Sequence, residues 1–489
     1  MGFTIIKNGT VVNSDNEFKA DVLIEDGKIA QVAETIAVPE GATVIDATGK
    51  FVMPGGIDTH VHLDMNIGVF STIDDYTSGS RAALLGGTTS YIDFINPDRE
   101  IGTFVDAYND WRARADAQTV TDYGLHCSVP WFDEQTAKDM ETLVNELGVC
   151  SFKHFLAYKG RLQLSDEDII ASFQHCKRLG ALPQVHAENG DIIVAMQKDF
   201  LARGLTGPAS HPTRPAHVES EACERACTIA AAAGVPLVVA HNTNKFSIDA
   251  IERSRKRGNR VFTEVCGIHL ALDESRYFDP DRTWLDVAHH VLSPPLRARE
   301  HVDALWGHIV NNNVDLVGSD HCSWSTAQRQ RGRDDFTLIP NGCAGIQERT
   351  LIMWEEGVMA GRLTRTGFVN LVSANPCRLY NLYGKKGVIA VGADADISIW
   401  NPARDYTLSA QTHGSKIDYS VFEGKVIHGC PETVMVRGTV MVDDCKLTEA
   451  AVPGFGQYMP RKPFAPAVYG TLEFADRKRE DMEKRLVRN

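Results

Sequence analysis

His60 and His62 stand one residue apart at the end of the run Ile57-Asp58-Thr59-His60-Val61-His62. On an extended strand, positions i and i+2 face the same side. The two imidazoles then converge on one point, as two ligands of one metal ion must. Imidazole suits Zn²⁺, and a divalent cation held this way polarises a carbonyl and acidifies water. Paired surface histidines also arise by chance, so the meaning of this pair depends on further ligands at equivalent places.

Those places are set by the elements around the pair. Apolar strand candidates fall at 57–62, 88–94, 123–129, 149–155, 182–188, 236–241, 261–266 and 314–320, with helix-like stretches such as Glu219 to Ala233 and Ser247 to Lys256 between them. Alternation of this kind predicts a parallel sheet. Eight units predict an α/β fold, a (β/α)₈ TIM-like barrel, with a doubly wound open sheet as the alternative. In a barrel the site lies at the C-terminal strand ends. Those ends carry His60 and His62 on the first strand, Lys153 on the fourth, His186 on the fifth, His241 on the sixth and Asp320 on the eighth. Each has an ordinary alternative: His186 and His241 as hydrogen-bonded core residues, Asp320 as a loop cap. All six at strand ends is harder to set aside.

Lys153 is the odd member, because metal ions repel an ammonium and burial disfavours its charge. Two outcomes remain open: an outward surface lysine, or an amine that adds CO₂ to become a carbamate, an anionic ligand able to bridge two metals. Alternation puts Ser151, Lys153 and Phe155 on one face and His154 on the other, so His154 is read as structural.

The chain ends have another texture. Asn8-Gly9 and Asp26-Gly27 each sit between apolar runs, a strong hairpin signal. Strand-like runs return at 396–400 and 433–442. The expected organisation is a small β-sandwich built from both ends, 1–54 and 386–453, around a barrel at 55–385. A Pro-rich, then charged arm follows at 454–489, of a kind that docks on a neighbouring subunit.

Composition bounds the function. Across 489 residues, 43% hydrophobic and 23% charged content is that of a globular protein. A formal charge of −14 argues against nucleic-acid or anionic-membrane surfaces. No run approaches the roughly 20 apolar residues of a membrane span. The first residues show no secretion signal. The 11 cysteines include no Cys-x-x-Cys pair, and an odd count without a secretion signal reads as reduced thiols in the cytoplasm. Cys223 and Cys227 share a helix face and are expected to pack.

Several motifs resemble the hydantoinases and dihydropyrimidinases of the amidohydrolase superfamily. They are Gly55-Gly56-Ile57-Asp58-Thr59-His60-Val61-His62, Ser151-Phe152-Lys153 with Ala157-Tyr158-Lys159, and Val185-His186-Ala187-Glu188-Asn189-Gly190-Asp191. Ser293-Pro294-Pro295-Leu296-Arg297, Gly318-Ser319-Asp320-His321-Cys322 and Ile339-Pro340-Asn341-Gly342 follow in family order, and the likeness runs from about residue 4 to 460. Departures are Asn242-Thr243-Asn244 after His241, and Thr213 where serine is usual.

The resemblance implies two divalent metal ions, Zn²⁺ first, with Mn²⁺ or Co²⁺ as alternatives. One is held by His60, His62, carbamylated Lys153 and Asp320, the other by the same carbamate, His186 and His241. Asp320 is implied as general base then acid for a bridging hydroxide. Tyr158 is the expected oxyanion donor, its alternative being an ordinary rim tyrosine. Ser293 and Asn341 are expected to bind a cyclic –NH–CO– unit through their backbones. The expected reaction opens hydantoin or dihydropyrimidine rings to N-carbamoyl amino acids, in a homo-tetramer or dimer. Allantoinase or dihydroorotase activity is the enzymatic alternative. A non-catalytic scaffold, as in the collapsin-response proteins that lost metal ligands, is the other, and retention of all six ligands speaks against it. Residues 64–70 with Phe155, Leu156 and Leu162 are expected to gate the pocket.

Overall fold

The computed structural model describes residues 2–67 and 70–470. Within them, eight parallel strands form one sheet: β1 (Gly56–Val61), β2 (Thr88–Ile95), β3 (Asp122–Ser128), β4 (Ser151–Phe155), β5 (Leu182–His186), β6 (Leu237–Val239), β7 (Val261–Cys266) and β8 (Leu316–Gly318). Neighbours in sequence are neighbours in the sheet. Each expected strand is present, with ends moved by a few residues. The runs are buried on both faces, as strands covered by helices must be.

The sheet curls until β8 meets β1. Ser319 N–H donates to the Asp58 carboxylate at 3.1 Å, the Ser319 hydroxyl to His60 O at 3.1 Å, and His62 N–H to His321 O at 2.8 Å. These bonds carry Asp320, two residues after β8, to the end of β1. Deep in the barrel the Arg349 guanidinium lies 3.4 Å from the Asp58 carboxylate and donates to Val317 O at 3.0 Å. A buried ion with such partners fixes the two closing strands relative to each other.

Both chain ends build one nine-stranded sheet outside the barrel. Phe3–Val12 pairs in parallel with Phe51–Pro54, which pairs antiparallel with Ile397–Thr407. Phe51–Pro54 leads straight into β1 through Gly55, where an added Cβ would lie 2.1 Å from the Thr89 hydroxyl. Only glycine allows that approach. Sheet and barrel are also joined by buried Lys386, whose ammonium lies 2.7 Å from Asp122 and 3.2 Å from Asp394, and bonds Asp396.

The described part of the arm, 455–470, lies along its own barrel. Tyr123 N–H donates to Gln457 O at 3.0 Å, Met459 N–H to Tyr123 O at 2.7 Å, and Arg461 N–H to Gly148 O at 3.0 Å. These contacts fall at the N-terminal strand ends, opposite the ends that carry His60, His186 and His241. The charged run 476–485 lies outside the described residues. Among those described, no helix is long and apolar enough to cross a membrane.

Candidate metal centre

Where β1 and β8 meet, His60 Nε2 lies 3.3 Å and His62 Nε2 3.2 Å from the same Asp320 oxygen. His60, His241 and Asp320 offer ligand atoms all within 4.8 Å of one another. The His241 ring centroid lies 5.4 Å from that of His60 and 4.5 Å from that of His186. The four histidines and the aspartate from strands 1, 5, 6 and 8 therefore share one cluster.

Lys153, on β4, points inward and is 2% exposed. Its ammonium has no hydrogen-bond partner and sits 5.4 Å from the Phe94 ring centroid and 6.0 Å from that of Phe155. Burial lowers its pKa to about 8. The surface-lysine alternative is excluded, and an amine near neutrality is the form that can add CO₂. His154 faces away and bonds the Ser172 hydroxyl at 2.8 Å, a structural role as expected.

The remaining donors carry the electrostatics of a cation site. Burial holds His62, His186 and His241 below the ordinary imidazole range, so each presents a neutral ring. Burial pushes the Asp320 carboxyl up, yet attraction to His60 and the hydrogen bond with His62 outweigh it and hold it well below the usual range. The buried ring nitrogens His62 Nδ1 and His241 Nδ1 and the Lys153 amine have no partner. Neutral imidazoles and a carboxylate beside an unpartnered buried amine make a donor set that fits divalent metal ions.

Two buried carboxylates stand behind the clustered histidines. One oxygen of Glu264 lies 2.7 Å from His60 Nδ1 and accepts the His241 N–H at 3.1 Å. Glu188 lies 2.8 Å from His186 Nε2 and receives Arg214 at 3.0 and 3.1 Å. Burial raises the Glu188 carboxyl, but Arg214 and His186 overcome that and hold it at about 2. An anion on one ring nitrogen keeps the proton there and leaves the other free to ligate. Neither residue was assigned a role from sequence. The signal was a lone charged residue inside the otherwise uncharged run Val261-Phe262-Thr263-Glu264-Val265-Cys266.

Short connections turn these strands into helices. Asn189 caps the helix Gly190–Ala202 three residues after His186, and Asn244 caps Lys245–Lys256 three residues after His241. The unusual flank of His241 thus has a local cause. Thr243 meets Glu219, which receives Arg297 at 2.7 Å, while Arg297 also donates to the Thr243 hydroxyl at 2.8 Å. Thr213 is buried, its hydroxyl 3.4 Å from His211 O.

Three site residues have left-handed backbones without being glycine: Tyr158 (φ 65°), His241 (φ 37°) and Asp320 (φ 51°). Such conformations cost of order 1–3 kcal/mol each and gather where side-chain aim matters. The Tyr158 ring centroid lies 5.0 Å from that of His186, and Arg214 lies 5.9 Å from the Tyr158 ring. Burial raises the phenol above its ordinary range, so it remains a proton donor.

Ser293 and Asn341 sit on two loops tied by buried Arg329. Its guanidinium donates to Val291 O at 2.8 Å and also to Pro340 O and Gly342 O. Cys322 N–H donates to Cys343 O at 3.0 Å, fastening the Asn341 loop two residues from Asp320. Of the expected gate, Met65, Phe155 and Leu156 are buried and Leu162 is half-buried, whereas 68–69 lie outside the described residues.

Residues 51–441 match the model of the Amidohydrolase family. The chain is 40% identical to a dihydropyrimidinase of Dictyostelium discoideum, over 100% of this chain and 96% of the relative. It is 41% identical to a D-hydantoinase of Geobacillus stearothermophilus, over 96% and 97%. The solved structure of a dihydropyrimidinase from Brevibacillus agri superposes with a TM-score of 0.91 at 38% identity, over 95% and 99%. The chain belongs to the hydantoinase and dihydropyrimidinase branch of the amidohydrolase family.

Proposed function

We propose that this protein hydrolyses the ring amide of cyclic ureides, hydantoins and dihydropyrimidines, to N-carbamoyl amino acids. The observation that carries the reading is the cluster of His60, His241 and Asp320 beside a buried, unpartnered Lys153, in a chain matched end to end by enzymes of that name. His60, His62, His186, His241, Asp320 and a carbamate on Lys153 would hold two divalent ions, Zn²⁺ first, with Mn²⁺ or Co²⁺ as alternatives. When bound, such a pair brings the pKa of water to about neutral and polarises the scissile carbonyl.

The chain's own groups do the rest. Asp320 takes the proton from the attacking water and returns it to the departing ring nitrogen. The Tyr158 phenol donates to the oxyanion as the carbonyl carbon becomes tetrahedral. Backbone groups of Ser293 and Asn341 grip the –NH–CO– edge of the ring. The ring C–N bond breaks, and water supplies an oxygen to carbon and a hydrogen to nitrogen. Eleven cysteines without a disulfide support a reducing compartment such as the cytoplasm. Self-association as a tetramer or dimer belongs to the same reading, and light scattering tests it.

Turnover of the metal-loaded protein on 5-substituted hydantoins, dihydrouracil, allantoin and dihydroorotate tests the activity. Hydantoins and dihydrouracil should be opened, and Asp320→Asn should abolish the rate. Exclusive turnover of allantoin or dihydroorotate would overturn the substrate assignment, and full activity after exhaustive chelation would overturn the mechanism.

A further inference from the structure

Ten of the 11 cysteines are buried, and Cys445 alone is partly exposed. It follows Asp444 in the turn after the strand Thr439–Asp443. Its N–H donates to Glu432 O at 3.1 Å, which holds the turn against the strand Val426–Val436. Cys430 lies on that strand, with its sulfur 3.4 Å from that of Cys445. Arg404 enters the same corner, bonding the Asp444 carboxylate and lying 3.3 Å from both Asp444 O and a Glu432 oxygen. The bond from the Cys430 thiol and the nearby Arg404 guanidinium lower the Cys445 thiol below its ordinary range. A partly exposed cysteine with a lowered thiol pKa, in contact with a buried second thiol, is the arrangement of an attacking and a resolving cysteine.

We propose that Cys445 and Cys430 are a modification site of the outer sheet, closing into a reversible disulfide when the protein meets a small-molecule disulfide of the glutathione class. The Cys445 thiolate attacks one sulfur of that disulfide. A mixed disulfide forms and the first small thiolate leaves, taking up the proton that Cys445 released. Cys430 then loses its proton and attacks the Cys445 sulfur, expelling the second small thiolate, which takes up that proton. Two protein thiols are oxidised to one disulfide while one small disulfide is reduced to two thiols. A disulfide bond of about 2.05 Å asks the two sulfurs to approach by little more than 1 Å. The pair Cys223 and Cys227, one helical turn apart but buried, provides an internal control.

The test incubates the full-length, metal-loaded protein with oxidised glutathione and follows intact mass and non-reduced peptide maps. The expected result is a loss of two hydrogens and one cross-linked peptide joining Cys430 to Cys445, both reversed by dithiothreitol. Cys430→Ser should stop at a stable glutathione adduct on Cys445, and Cys445→Ser should give neither adduct nor cross-link. Wild-type protein without the cross-link, a first adduct on any other cysteine, or a disulfide between Cys223 and Cys227 in its place would overturn the proposal.

Discussion

One oxygen of Glu264 lies 2.7 Å from His60 Nδ1 and 3.1 Å from the backbone nitrogen of His241. A single buried carboxylate thereby grips one residue from each side of the cluster. Removing it frees the His60 ring to rotate and to change tautomer. Glu264→Ala should lower metal affinity about 10–100-fold, the range for partners behind metal ligands. Metal retained during competition with a chelator measures this. Retention within twofold of wild type would reduce Glu264 to a packing residue.

Lys153→Ala removes the only amine in the cluster able to become a bridging anion. Metal content and turnover should both collapse, and added short carboxylic acids should restore part of each by filling the carbamate's place. Native mass spectrometry should find one extra CO₂ on the active wild-type chain. Activity in a chain lacking that mass would remove the carbamate from the mechanism.

Tyr158→Phe separates catalysis from metal binding. If the phenol serves the oxyanion, kcat should fall about 10²–10³-fold, roughly 3–4 kcal/mol, with a smaller change in KM. Metal content should be unchanged. A kcat within about threefold, under ~1 kcal/mol, would return Tyr158 to the role of a rim residue.

Where the outer sheet joins the barrel, Lys386→Ala leaves Asp122, Asp394 and Asp396 facing one another without their shared cation. Breaking a buried ion pair by removing one partner costs about 3–5 kcal/mol. Chemical denaturation should show a loss of that order, and metal content at low denaturant should be kept. An unchanged midpoint would mean that the three carboxylates take up protons or water at no cost.

Much of this protein is readable from local pattern. Strand runs, the turns between them and the alternation of faces obey short-range sterics, so eight strands and the opposite facing of Lys153 and His154 follow from sequence, whereas the burial of Lys153 is decided by the closed barrel. His60 and His62 are visible for the same reason, being two residues apart on one strand. The distant relations are not local. Asp320 reaches His60 only because Ser319 bonds both Asp58 and His60 across the closing seam, 259 to 261 residues apart. Glu264 is an odd charge in a strand until the barrel puts His60 and His241 beside it. Periodicity says which face a side chain takes, whereas its partner is decided by long-range closure. The arm beyond Gly454 makes the same point: its composition marks it as extended, and the contacts of Met459 and Arg461 decide that its described part lies along its own barrel.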